Sequence, residues 1–151
     1  MTIDDQTLID AAIKVRDSAY ADYSGYRVGA AIVDDTDRLH VGCNVENASY
    51  PLGTCAETGA IAAMIAAGGR RIRTIAVAGG GETLDECMPC GGCRQRIHEF
   101  ADGDTRILLF DGKLSDENLS DSNLSDSNLS DGNGWRSWSI EALLPNGFTL
   151  P

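Results

Sequence analysis

Positive charge, long apolar runs and a basic amino terminus are all scarce or missing in this 151-residue chain, and each shortage removes a class of function. No stretch approaches the ~20 apolar residues that a membrane-spanning helix needs. Met1 to Asp10 carry aspartates and no basic residue. They lack the positive start and apolar run of a signal peptide, so the cytoplasm is the expected location. Twelve Lys and Arg stand against 23 Asp and Glu, a net charge of −11. Nucleic-acid binding rests on clustered basic residues that meet phosphates, so no nucleic acid is expected as partner. The one local basic cluster, Arg70-Arg71-Ile72-Arg73, reads as the end of a helix and the start of a strand. A small neutral ligand fits this charge balance better.

What remains is ordinary globular material, 42% apolar and 23% charged, and the length suits one domain with its own core. Leu8, Ile9, Ala12, Ile13 and Ala19 recur at helical spacing behind Asp4 and Asp5, which predicts an amphipathic helix of about four turns. Tyr23-Ser24-Gly25 breaks it. Tyr26 to Val33 and Arg38 to Val45, around the turn Asp34-Asp35-Thr36-Asp37, read as a hairpin. An Ala-rich helix from Cys55 to Ala67 stops at Gly68-Gly69, and Thr74 to Ala78 is a short apolar strand. A third helix over Cys90–Phe100 follows Pro89, placed to occupy its first position. Arg106 to Phe110 and Trp135 to Ile140 complete the strands, and Ile140 to Leu144 make a last helical turn before Pro145. Strands alternating with helices predict a layered α/β domain over residues 1–151.

One segment breaks this rhythm. Leu-Ser-Asp-x-Asn repeats four times, from Leu114, Leu119, Leu124 and Leu129, ending at Asn133. A period of five fits neither helix nor strand. In the frame Ser-Asn-Leu-Ser-Asp it resembles the pentapeptide repeat of square β-solenoids, but four units make about one coil, too few to stack and bury a core. The expectation is a solvated insertion at about 114–133, between the last two strands.

Chemistry concentrates in the cysteines. Five is an odd number, and three crowd into Cys87-Met88-Pro89-Cys90-Gly91-Gly92-Cys93, which reads as metal binding or redox chemistry rather than a disulfide framework. Cys90 and Cys93 have the Cys-x-x-Cys spacing that chelates one ion. Alone, that spacing also fits a structural knuckle or a redox pair. Cys55-Ala56-Glu57 adds a third thiol at a helix start, where free N–H groups favour a thiolate. A catalytic zinc keeps three protein ligands and one open position for water. Glu57, two residues on, is placed to take a proton from such a water and pass it on. A fourth sulfur from Cys87 would instead close the site and make the metal structural. Cys43, at the end of an apolar strand, reads as a small buried hydrophobe.

Cys-Ala-Glu followed by Pro-Cys-x-x-Cys resembles the three-cysteine signature of zinc nucleoside deaminases. The similarity to small cytidine deaminases extends to Ala19-Tyr20-Ala21-x-Tyr23-Ser24, Val28-Gly29-Ala30-Ala31, Gly42 to Tyr50, Cys93-Arg94-Gln95 and Leu143-Leu144-Pro145-x-x-Phe148. It covers nearly the whole chain outside the repeat. The resemblance implies a three-layer α/β/α fold with a five-stranded mixed sheet, and one zinc held by Cys55, Cys90 and Cys93. It implies hydrolysis of cytidine and 2'-deoxycytidine to the uridines and ammonia, with Glu57 as proton shuttle. By the same resemblance Asn44 and Glu46 bind the ribose, Tyr26 lines the base pocket, Ala56 is a further substrate-binding residue, and Phe148 enters a neighbouring subunit's site in a homotetramer. Thr58 departs from the pattern: relatives commonly carry an Arg there, which offsets the charge of three thiolates. Its hydroxyl brings no positive charge, so compensation rests more on the helix N-termini. Rival readings are a nucleoside-antibiotic deaminase, a non-catalytic zinc module and a polynucleotide editor. Asn44 with Glu46 disfavours the first, Glu57 the second, and the acidic balance the third.

Overall fold

The computed structural model describes residues 2–112, 129–130 and 134–151. Helix α1 (Asp5–Arg16) starts at Asp4, whose carboxylate accepts the Thr7 N–H. Strands β1 (Arg27–Asp34) and β2 (Leu39–Cys43) form the expected hairpin, and a 3₁₀ turn at Tyr50–Leu52 leads into α2 (Ala56–Ala66). Strand β3 (Ile72–Gly80), α3 (Gly91–Phe100), β4 (Arg106–Phe110), β5 (Leu129–Ser130), β6 (Trp135–Trp138) and α4 (Ile140–Leu143) follow. Most of the Leu-Ser-Asp-x-Asn repeat lies outside the described residues.

The sheet runs in the order β2-β1-β3-β4-β6-β5. Among the described strands only β3 and β4 pair in parallel, so the sheet is mixed. The five expected strands are all present, and the two-residue β5 adds to the β6 edge. Alternation along β1 makes two cores. Ala30 and Ile32 face Ala56, Ala60 and Met64 of α2 and Ile97 of α3, whereas Ala31 and Val33 face Leu8, Ile9 and Ala12 of α1. The result is the three-layer α/β/α arrangement.

Two glycines bring helix backbones down onto the sheet. A Cβ at Gly29 would stand 2.1 Å from the Ala12 carbonyl oxygen, and one at Gly42 2.3 Å from the Ala60 nitrogen. Gly42 therefore sets how close α2 lies to β2. Arg70 donates Nη1 to the Ile65 and Gly69 carbonyls, closing the end of α2, while Arg73 pairs with Asp37 beside β3. The basic cluster thus does local structural work, as expected. Strand β3 is longer than the apolar run suggests, because Gly79 and Gly80 pair with Val28 and Arg27 of β1. Among the described residues no helix is long and apolar enough to cross a membrane.

Candidate active site

The carboxyl ends of β2 and β3 lie at one end of the sheet, together with the start of β1, since Gly29 pairs with Cys43 and Arg27 with Gly80. The chain leaves β2 and β3 there and re-enters the fold through α2 and α3, whose N-termini face each other. Cys55 is the N-cap of α2 and Cys90 the N-cap of α3. Cys90 Sγ accepts the Cys93 N–H at 3.4 Å. Pro89 consequently sits one residue before the cap, not in the first helical position that the sequence suggested. The cap role goes to the thiol because it satisfies an otherwise orphan N–H.

Cys55, Cys90 and Cys93 come together, with their sulfurs all within 4.8 Å of one another. Cys55 Sγ and Cys90 Sγ are 3.9 Å apart. Sulfurs bound at about 2.3 Å to one tetrahedral ion stand about 3.8 Å apart, so the donor set and its spacing suit zinc. Cys87 is not part of this group. Burial pushes the Cys55 and Cys93 thiols above the ordinary range, each further raised by neighbouring acidic groups. Cys90 goes the other way, for hydrogen bonds from Cys93 outweigh its burial. Three thiolates beside a carboxylate are unfavourable without a cation, and a divalent ion removes that conflict.

Glu57 lies in the first turn of α2 and is 4% exposed. Burial raises its carboxyl above the usual range; its own backbone N–H and the Cys93 thiol oppose the rise, and the Arg96 guanidinium on α3 does so least. Thr58 is partly buried on the same helix. Arg96 thus brings positive charge toward Glu57 from the facing helix.

A cavity of about 340 Å³ opens over these groups, lined by Tyr26, Asn44, Glu46, Cys55, Ala56, Glu57, Cys87 and Cys90 among others. Asn44 Oδ1 accepts the Val28 N–H at 2.8 Å, and Nδ2 donates to the Tyr26 carbonyl at 2.9 Å, which leaves one amide N–H for a ligand. Glu46 Oε1 accepts the Tyr23 and Ser24 N–H groups, both at 3.0 Å, and Oε2 accepts the Ser24 hydroxyl. These bonds hold the Glu46 carboxyl below its ordinary range, that from Ser24 most strongly. Its remaining lone pairs stay open to a hydroxyl donor. Cys43 is only half-buried at the end of β2, since its strand is on the sheet edge beside this cavity.

Phe148 does not join the cavity of its own chain; it is 68% exposed. Its main chain is clamped to α3, with Gln95 Nε2 donating to the Phe148 carbonyl at 2.9 Å and the Phe148 N–H donating to Gln95 Oε1 at 3.2 Å. Arg94 donates to the carbonyls of Pro89 and Leu143, at 2.8 and 2.9 Å, tying the turn before α3 to α4. The sequence offers only one signal for Gln95 and Arg94, their place directly after Cys93. Their backward reach to the C-terminal segment is a tertiary fact.

Residues 2–109 match the family described as the cytidine and deoxycytidylate deaminase zinc-binding region. A cytidine deaminase of Halalkalibacterium halodurans is 40% identical over 107 residues, 71% of this chain and 80% of the relative. Among solved structures, a cytidine deaminase from Burkholderia pseudomallei superposes with a TM-score of 0.75 at 36% identity, covering 97% of this chain and 100% of the other. One from Mycobacterium tuberculosis gives 0.74 at 31% identity, covering 98% and 99%.

Proposed function

This chain belongs to the cytidine and deoxycytidylate deaminase family, and from that membership and the site we infer hydrolysis of cytidine and 2'-deoxycytidine to uridine and 2'-deoxyuridine with release of ammonia. The observation that carries the reading is the three-sulfur group, two members of which, Cys55 and Cys90, line one cavity with the buried Glu57 carboxyl. The cofactor is zinc. Bound by Cys55, Cys90 and Cys93, it would supply a water acidic enough to attack at neutral pH.

The chain's own residues do the rest. Glu57, buried beside the three sulfurs, takes the proton of the nucleophile as a carboxylate and donates it to N3 of the pyrimidine, which opens C4 to attack. It then carries a proton to the departing amine. Tyr26 and Ala56 flank the base. Asn44 and Glu46, pre-positioned by their backbone bonds, take the ribose hydroxyls with the amide N–H and the carboxylate lone pairs that remain. Their presence on the cavity favours a nucleoside over a base alone. The enzyme acts in the cytoplasm for pyrimidine salvage, on a small nucleoside rather than a polynucleotide. It assembles as a homotetramer, in which the exposed Phe148 completes a neighbour's site.

The test follows the fall in ultraviolet absorbance as cytidine becomes uridine. Native protein should turn cytidine over, and Glu57→Gln should lose activity by about 10²–10⁴-fold with zinc content unchanged. Full activity in Glu57→Gln, or no turnover by zinc-loaded native protein, would overturn the reading.

A further inference from the structure

Cys87 is left over by the three-sulfur group, yet it is 8% exposed and lines the same cavity. Its position is built rather than incidental. The segment that carries it is fastened on both sides. Arg16, 6% exposed, donates Nη2 to the Gly81 and Thr83 carbonyls, and the Asp85 N–H donates to the Gly79 carbonyl at 2.9 Å. On the far side, Arg94 holds the Pro89 carbonyl. These anchors press Cys87 against the end of β3 at Gly79. A Cβ there would stand 2.4 Å from Cys87 Sγ and 3.1 Å from the Tyr26 hydroxyl oxygen, so sulfur and phenol converge on the gap this glycine leaves. The Tyr26 hydroxyl and the Cys87 sulfur are neighbours behind the cavity wall, and each acts on the other: next to burial, Cys87 raises the phenol, while Tyr26 opposes the rise that burial gives the thiol. The Tyr26 ring itself faces the cavity and is 36% exposed, so its tip needs an anchor if the ring is to hold one plane.

We propose that Cys87 is a positioning residue for substrate binding: through the Gly79 gap its sulfur holds the Tyr26 hydroxyl and fixes the ring against which the nucleobase rests. This rests on the cavity being the nucleoside site. The contribution belongs in KM, because neither group delivers a proton or a metal ligand. One hydrogen bond to a neutral partner corresponds to about threefold to tenfold.

The experiment is a double-mutant cycle on the zinc-loaded enzyme with cytidine, run beside infrared spectra of the S–H stretch and zinc analysis. Tyr26→Phe and Cys87→Val should each raise KM about threefold to tenfold with kcat within about twofold. The double variant should be no worse than the worse single, since both remove one contact. Cys87→Ser, which keeps a hydrogen-bonding group, should recover most of the loss. In the infrared, Tyr26→Phe should shift the S–H band that Cys87→Val abolishes, and this readout needs no turnover. An unmoved band overturns the contact. A moved band with multiplicative KM effects, or no rescue by serine, overturns the positioning role. Loss of zinc in Cys87→Val would make Cys87 a ligand instead. A band that moves in Tyr26→Phe, beside zinc-loaded native protein that fails to deaminate cytidine, would refute the nucleoside reading and, with it, the role.

Discussion

Around the sulfurs, charge has to be balanced residue by residue. Cys55, Cys90, Cys93 and Glu57 are all acidic groups, and a divalent ion offsets only part of their combined charge. With Thr58 on α2, the guanidinium that acts on Glu57 comes from Arg96, whose Nη1 lies 2.8 Å from the point where a Gly92 Cβ would stand; Cys90 Sγ is 3.9 Å from that same point. Arg96→Ala is therefore expected to weaken zinc retention about tenfold in competition with a chelator, within the span seen for groups that support metal ligands. Thr58→Arg in the same background should restore it. Unchanged retention in Arg96→Ala would leave the helix N-termini as the sole compensation.

Elements place these residues, and the two ends of the sheet do different work. At the site end, α2 can lie against β2 only because Gly42 has no side chain. Gly42→Ala should push α2 outward, lowering stability by about 1–3 kcal/mol and weakening zinc binding together, as thermal melts and metal analysis would show. At the opposite end, the hairpin turn closes on Asp34, fully buried, with Oδ2 2.7 Å from His40 Nε2 and 3.3 Å from Arg38 Nη2. Burial alone would raise the Asp34 carboxyl. Bonds from His40, Thr36 and Arg38 outweigh it and hold the group well below the usual range. A carboxylate depressed in the fold adds stability that is present above its unfolded value, about 4, and is lost as pH falls through the folded one. Asp34→Asn should thus be of order 2 kcal/mol less stable at pH 7, with the difference shrinking below about pH 4 in melts taken across acid pH. A constant difference would contradict this.

The molecule as a whole shows which features a linear reading can reach. Helix α3 and strand β4 are legible because their periodicity and breakers are local: Pro89 and Cys90 open one, and Arg106–Phe110 is a continuous apolar run. The metal group is legible because Cys-Ala-Glu and Cys-x-x-Cys are short motifs set on helix starts. Strand β3 is under-read because Arg73, Gly79 and Gly80 look like breakers, whereas an Asp37 partner and pairing with β1 keep them in the sheet. The Tyr26–Gly79–Cys87 convergence joins three distant parts of the chain, and no spacing rule reports it. The insertion sits between β4 and β6, whose antiparallel pairing is closed at its base by the Asp111 N–H to Gly134 carbonyl bond at 2.8 Å. Replacing residues 113–133 by a short turn should leave zinc content and activity intact, because loop closure changes by only ~0.6 kcal/mol per doubling of length. Loss of either would assign the insertion a task. For the proposed assembly, Phe148→Ala should raise KM while light scattering reports the same mass as for the native protein.

The central claim is a single ion held by three sulfurs with one position left to solvent. X-ray absorption at the zinc edge of the purified protein measures it most directly. Three sulfurs near 2.3 Å and one lighter neighbour are the expected shell; four sulfurs, or a protein that takes up no zinc, would contradict it.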